Sequence, residues 1–337
     1  MGTIVSWMLA AAAIGAFTIT ALSGCFVIPA LRRLHFGQTI RESGPTWHNK
    51  KQGTPTMGGL CFIFGILVSC GLVYIGFRRY APDLLGAAQV RAAMLALFLA
   101  FGSGFIGFLD DYIKVVRHRN LGLLAWQKLV LQFLVTAGFM LGLHAQGLMT
   151  TLIALPFVGT ADLGWLYYPI AFFGIIFLVN AVNLTDGLDG LCSCVTFVSM
   201  LGYLLAASML SFYHVAVLAA ATAAAMAGFL VWNFYPAKVF MGDTGSMFLG
   251  GMVTALAFLM GRPELVLFFG IVYIWDAMTV VIQRTYFKAT HGKRIFRMTP
   301  IHHAFEMRGW REVKIDGFFA LIAVIGVAMG IFYICVA

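Results

Sequence analysis

The amino-acid sequence predicts an all-α, polytopic integral membrane protein: ten transmembrane helices in a single domain over residues 1–337, with a cleft on the cytoplasmic side. Two observations carry that expectation. Hydrophobic residues make up 61% of the chain and charged residues 10%, where soluble domains carry about a quarter. The apolar residues also fall in runs that repeatedly reach the roughly 20 needed to cross a bilayer.

In chain order, the runs predict spans at residues 4–30, 56–77, 91–110, 126–144, 165–183, 187–207, 212–232, 245–261, 264–287 and 316–336. The first is too long for a signal peptide and lacks a basic start and a small-residue cleavage site, so it is predicted to be a retained span. Glycine and proline recur inside the runs, as membrane helices tolerate. Residues 145–164 carry no Lys or Arg and read as a short extended, turn-rich connection. Cys25, Cys61, Cys70, Cys192, Cys194 and Cys335 lie mostly within apolar runs and lack zinc-ligand spacing. They are expected to be buried small hydrophobes. No internal repeat or low-complexity tract is visible.

All but Arg78, Arg79, Arg91 and Arg262 of the 22 Lys and Arg residues follow odd-numbered spans. The positive-inside rule then puts that side in the cytoplasm and both termini outside. The formal charge of +9 is read as this loop bias, or as affinity for anionic substrates, rather than as a nucleic-acid footprint. Nearly every polar cluster falls on the same side, which predicts one assembled cytoplasmic site.

Five clusters could build it. The first runs from Gly44-Pro45 through His48, Lys50 and Lys51 to Gly53-Thr54-Pro55-Thr56-Met57-Gly58-Gly59. A Gly/Thr-rich turn opening a helix can offer N–H groups to phosphate, or be a plain loop with lysines at the lipid headgroups. The second is Asp110-Asp111-Tyr112 with Lys114. Adjacent carboxylates repel and call for a cation, and hard oxygen ligands at a phosphate site suggest Mg2+; the bland reading is a helix end paired with Lys114. Arg117 and Arg119 read as surface charges, whereas Lys128 opens the next span and can point into a cleft. The third is Asn183-Leu184-Thr185-Asp186-Gly187-Leu188-Asp189-Gly190, two acids and an amide where a bilayer helix should end. Three residues apart, Asp186 and Asp189 would share a face if helical, or sit solvated in an Asx-type turn. The fourth joins Trp232-Asn233-Phe234-Tyr235-Pro236 to Val239–Ser246, where Gly242-Asp243-Thr244-Gly245-Ser246 sets a carboxylate and two hydroxyls at a helix start. That suits a metal–phosphate unit. Phe240 can stack on a planar base or belong to an interfacial aromatic belt.

The fifth cluster is Arg294–Met298 with Pro300-Ile301-His302-His303, Glu306 and Gly309-Trp310. Two histidines among arginines suit a diphosphate or proton transfer, and no third ligand has zinc spacing. The apolar and basic mix fits an amphipathic helix lying on the membrane equally well. Asp276 is the one acid deep within a span, so it is a functional candidate by default, either facing the cleft with a basic partner or structural. Gln283 lies seven residues on, on about the same face. His144 and His214 carry no assigned role.

Together these motifs resemble the polyprenyl-phosphate N-acetylhexosamine-1-phosphate transferase superfamily, from Gly37-Gln38 to Trp310. Asp110-Asp111-Tyr112, Asn183–Gly190 and Gly242–Ser246 mark the superfamily. Gly53–Gly59, Arg294–Met298 and Pro300–His303 mark the branch acting on UDP-MurNAc-pentapeptide. One departure stands out: that branch often has a third histidine where this chain has Ala304. The resemblance implies transfer of phospho-MurNAc-pentapeptide from UDP-MurNAc-pentapeptide to undecaprenyl phosphate, giving lipid I and UMP, with Mg2+ required. It implies a bent ninth helix and a homodimer in the bacterial inner membrane. It makes Asp243 the leading Mg2+ ligand and sets Asp110 and Asp111 beside the acceptor phosphate, with Thr56, Lys114, Lys128 and Gln283 lining the substrates. Asn183, Asp186 and Asp189 would meet the nucleoside end, Phe240 would stack on uracil with Lys51 and Asn233 nearby, and His302 and His303 would meet the diphosphate or sugar. Two other readings are a GlcNAc-1-phosphate transferase of the same superfamily and, more distantly, a secondary transporter, whose ionisable groups would lie nearer the midplane.

Overall fold

In the computed structural model the described residues are 2–34, 51, 53–80, 82, 85–117, 121–155 and 159–336. Gly37, Gln38, Arg41, Gly44, Pro45, His48, Lys50 and Arg119 lie outside them. The elements are α1 (Gly2–Arg33), α2 (Gly59–Tyr80), α3 (Ala87–Val116), α4 (Ala125–Ala145), β1 (Leu152–Leu155), β2 (Gly159–Asp162), α5 (Tyr167–Thr185), α6 (Leu191–Met209), α7 (Tyr213–Asn233), α8 (Gly242–Leu259), α9 (Leu265–Phe269), α10 (Ile271–Ala289), α11 (Ile301–Glu306) and α12 (Glu312–Val336).

Among the described residues, 8 helices are long and apolar enough to cross a membrane: α1 to α7 and α12. The predicted eighth and ninth spans are not among them, for two physical reasons. Helix α8 has 18 residues and opens on the polar Gly-Asp-Thr-Gly-Ser stretch. The ninth run is broken at Gly270 into α9 and α10, and α10 carries Asp276, Gln283, Arg284 and Lys288. Helix α8 is nevertheless the centre of the bundle, buried at every position from Thr244 to Leu259.

Glycines set how closely α8 is approached. A Cβ on Gly251 would lie 2.7 Å from the Leu99 carbonyl oxygen of α3, and one on Gly250 2.7 Å from Val179 Cα of α5. Gly104 of α3 meets Phe248 Cβ of α8 in the same way, at 2.9 Å. Small residues at such crossings let helix backbones touch, which in lipid replaces a hydrophobic driving force. The α1–α7 crossing repeats the device, with Gly228 against Phe17 and Trp232 Nε1 donating to the Ala21 carbonyl at 2.9 Å.

The two ends of the bundle differ in chemistry. At one end β1 and β2 form an antiparallel hairpin pairing Leu152 with Asp162 and Leu155 with Gly159. The extended, turn-rich character expected for residues 145–164 holds, and the hairpin is a small exception to the all-α class. Tyr333 of α12 donates to the Ala154 carbonyl at 2.9 Å and fastens the hairpin to the bundle. The other end holds the acids, amides and lysines of the predicted clusters. The cysteine expectation holds in part: Cys61, Cys70 and Cys192 are buried, whereas Cys25 and Cys335 are exposed on outer helix faces. His214 is buried, and its carbonyl accepts from Tyr74 Oη at 2.9 Å.

Replacing Gly251 by Ala puts a methyl against the α3 backbone, where nothing flexible can yield. Thermal unfolding of the purified protein should show a loss of about 1–3 kcal/mol, the usual cost of overpacking.

Candidate active site

Two differences from the predicted boundaries place the acids. Helix α3 continues to Val116, so Asp110, Asp111 and Lys114 stand on its last turns, and α8 starts at Gly242, so Asp243 lies in its first turn. The first turn of a helix presents unpaired N–H groups and favours negative charge. Gly242 adopts φ +71°, and a Cβ there would lie 2.6 Å from Asp111 Oδ2. Asp111 Oδ2 accepts from the Thr244 backbone N–H at 2.9 Å and from its hydroxyl at 2.8 Å. A carboxylate on α3 therefore caps α8.

Asp110, Asp111 and Asp243 converge, each offering an oxygen within 4.8 Å of the others. Lys114 Nζ lies 2.5 Å from Asp110, 3.0 Å from Asp243 and 3.9 Å from Asp111. Lys128, on α4, reaches the same Asp243 oxygen at 3.2 Å, as its predicted cleft-facing position requires. Asp110 Oδ1 also accepts from Leu123 N at 2.8 Å, and Asp243 Oδ1 accepts from Asn183 Nδ2 at 2.9 Å. The same Asn183 amide donates to Ser246 Oγ at 2.8 Å.

A second cluster lies beside the first. Asp186 and Asp189 are not on a helix; they sit in the turn between α5 and α6, which ends at Gly190 with φ +80°. Lys51 pairs with Asp189 and with Glu312 of α12, each at 2.7 Å. Asp189 N–H donates to Glu312 at 3.0 Å, and Asp189 Oδ2 accepts from Ala237 N at 2.8 Å. Burial acts to lower the Lys51 pKa, but the hydrogen bonds to Asp189 and Glu312 carry it above its ordinary value. Between the clusters, burial first, then the charges of Asp243, Asp111 and Asp189, holds the Asp186 carboxyl well above the usual range.

The remaining predicted residues are held in the surrounding frame. Gly58 N–H donates to the Phe240 carbonyl at 2.8 Å and Gly59 N–H to that of Met241 at 3.0 Å. Those two amides are spent inside the protein, which corrects their reading as a phosphate cradle. Thr56 is buried, its hydroxyl 2.7 Å from where a Cβ on Gly242 would stand. Phe240 is half-buried and its N–H donates to Pro55 O at 2.9 Å. Asn233 is buried, accepting from Ser193 at 2.8 Å and donating to Val239 O at 3.0 Å. Gln283 Oε1 accepts from Ile295 N and Phe296 N at 3.0 and 2.8 Å, tying the basic loop to α10. That loop is irregular; only residues 301–306 are helical, so the amphipathic-helix reading does not extend over it. His302 and Asp276 form a buried pair, Nδ1 to Oδ2 2.7 Å, and His303 lies 2.9 Å from Glu306. Neither histidine is brought into the three-carboxylate cluster by any contact among the described residues.

Sequence reasoning missed Glu312. Its signal was an acid opening the last apolar run amid Arg308, Arg311 and Lys314. It also lines a cavity of about 960 Å3 bounded by Tyr235, Trp310, Arg311 and Lys314.

The chain is similar to known proteins over most of its length. Residues 92–261, which contain Asp110 to Asp243, match the family Glycosyl transferase family 4. Residues 51–63 match Phospho-N-acetylmuramoyl-pentapeptide-transferase signature 1. The chain is 44% identical over 300 residues to the phospho-N-acetylmuramoyl-pentapeptide-transferase of Halalkalibacterium halodurans, covering 89% of each chain. It is 42% identical over 316 residues to that of Bacillus subtilis, covering 92% of this chain and 94% of the relative. Against the Listeria monocytogenes protein (serovar 1/2a) it is 42% identical over 330 residues, covering 96% and 98%.

Replacing Lys51 by Met should leave Asp189 and Glu312 without their shared cation. The unfolding midpoint should fall by the equivalent of about 1–3 kcal/mol, with Lys51→Arg closer to wild type.

Proposed function

This chain belongs to the phospho-N-acetylmuramoyl-pentapeptide-transferase family, and on that premise we propose that it transfers phospho-MurNAc-pentapeptide from UDP-MurNAc-pentapeptide to undecaprenyl phosphate. The products are lipid I and UMP. The observation that carries the reading is the meeting of Asp110, Asp111 and Asp243 with Lys114 and Lys128 at one end of an apolar bundle.

The chemistry of the donor set fits Mg2+. Three carboxylates offer hard oxygens at mutual distances one small cation can bridge, and Lys114 already puts a positive charge where they meet. Asp243 is the leading ligand, with Asp110 and Asp111 beside it. When bound, the ion neutralises phosphate charge and stabilises the leaving UMP.

The acceptor is a phosphate monoester whose second pKa lies near 6, so it is mostly dianionic at neutral pH. A strong general base is hardly needed. The obstacle is bringing two anions together. Lys114 and Lys128 meet it from one side, and Asp110 holds Lys114 in position. The acceptor oxygen bonds to the sugar-bearing phosphorus while the bond from that phosphorus to the bridging oxygen of UMP breaks. On the nucleoside side, Asn183, Asp186 and Asp189 form the floor, with Phe240 and Lys51 flanking it. Glu312, which accepts from Asp189 of that floor, also lines the neighbouring cavity, and the sugar-peptide half of the donor is assigned to it. A two-step route through an aspartyl-phosphate differs in outcome: it retains configuration at phosphorus, whereas direct attack inverts it.

The same reading makes α8 and the α9–α10 pair the two further passes of a ten-span protein. It places the site in the cytoplasm and both termini outside, in a homodimer of the bacterial inner membrane.

Purified protein given undecaprenyl phosphate, Mg2+ and radiolabelled donor should form lipid-linked product and UMP from UDP-MurNAc-pentapeptide, without any ion gradient. Turnover of UDP-GlcNAc instead would assign it to the GlcNAc-1-phosphate branch. Asp243→Ala should remain folded and lose at least roughly a hundredfold in Mg2+-dependent turnover. Near-normal Mg2+ dependence in that variant would refute the assignment of Asp243.

A further inference from the structure

His302 and Asp276 are both 0% exposed, and neither touches the three-carboxylate cluster. Asp276 sits on α10 and His302 on α11, yet they bond twice: Nδ1 to Oδ2 at 2.7 Å, and the His302 backbone N–H to Oδ1 at 3.4 Å. A carboxylate oxygen accepts, so Nδ1 is the donor, and the ring orientation is fixed. Its Nε2 is buried with no hydrogen-bond partner among the described residues. It packs against Gly187, so closely that a Cβ there would overlap the ring.

Gly187 is the middle of the turn that carries Asp186 and Asp189, and Asn183 at the start of that stretch donates to Asp243. A continuous path thus runs from Asp276 through His302 and Gly187 to Asn183 and Asp243. We propose that Asp276 and His302 are a buried positioning pair that presses the Asn183–Gly190 turn into place against the carboxylate cluster. On this account His302 acts through the turn and does not exchange protons with substrate. Gly187 is required because the ring occupies the space of a side chain.

The inference rests on the transferase reading, and wild-type turnover in the same assay separates a failure of that reading from a failure of this one. Phenylalanine at 302 keeps a ring in the space against Gly187 but has no nitrogen to exchange a proton, and leucine at 276 removes the carboxylate that would otherwise be buried without its partner. Kinetics of the full-length enzyme should therefore show His302→Ala losing roughly 10- to 100-fold in kcat/KM, the usual cost of removing a supporting partner. The double variant Asp276→Leu/His302→Phe should recover at least roughly tenfold of that loss. Asp276→Asn should cost a similar factor alone and add nothing in the His302→Ala background, since residues acting as a unit are not additive. A folded Asp276→Leu/His302→Phe enzyme as inactive as His302→Ala would mean that the ring nitrogens act on substrate and would overturn the proposal. So would losses that multiply in the Asp276→Asn/His302→Ala variant. If Asp276→Leu/His302→Phe does not fold, that additivity still decides.

Discussion

The close crossing of α3 and α8 is the constraint on which the site depends. Glycines on both helices bring the backbones together, and that proximity puts Asp110 and Asp111 beside the N-terminus of α8. Asp111 then takes one of the helix's free N–H donors and the Thr244 hydroxyl, while Asp243 stands in the first turn beside Asp110. Three carboxylates so near one another at a membrane boundary would be costly to hold. The helix N-terminus, Lys114 and Lys128 offset that cost from three directions. Stability and site geometry are therefore one problem here: any change that parts α3 from α8 also uncouples the acids.

The second cluster solves a similar problem with different parts. Asp189 and Glu312 come from elements far apart in sequence and share one cation, Lys51. Asp186 stands between the two clusters, and its burial, with the negative charge around it, opposes its ionisation. In the first cluster Lys114 and Lys128 both reach Asp243, so three carboxylates face two lysines.

Much of this was legible in the sequence because chemistry-bearing residues are conspicuous against apolar runs. Asp110-Asp111, Asn183–Asp189 and Gly242–Ser246 each interrupt a hydrophobic pattern, and the structure brings all three together. Hydropathy placed most of the helices for the same reason. It was less reliable for residues 245–261 and 264–287, where polar residues at the start of α8 and the break at Gly270 dilute the signal. Pairings across long sequence separations were not legible. Nothing local announces that Glu312 joins Lys51, or that Asp276 takes His302 rather than an arginine. The glycines of 53–59 suggested a phosphate loop by composition, yet where a backbone amide points is decided by tertiary packing. Asn233 and Gln283 likewise carried the right chemistry, and their side-chain hydrogen bonds are made within the protein.

The backbone clasp between residues 55–59 and 240–241 has a consequence for how this architecture can be varied. Pro55 accepts from Phe240, and Gly58 and Gly59 donate back to Phe240 and Met241. The two segments thus form one short ribbon, although more than half the chain separates them. Recombination between relatives that exchanged only one of them would join strands matched to different partners. The natural unit of exchange is the pair, so the sequence that introduces α2 and the sequence that introduces α8 are expected to tolerate replacement only together.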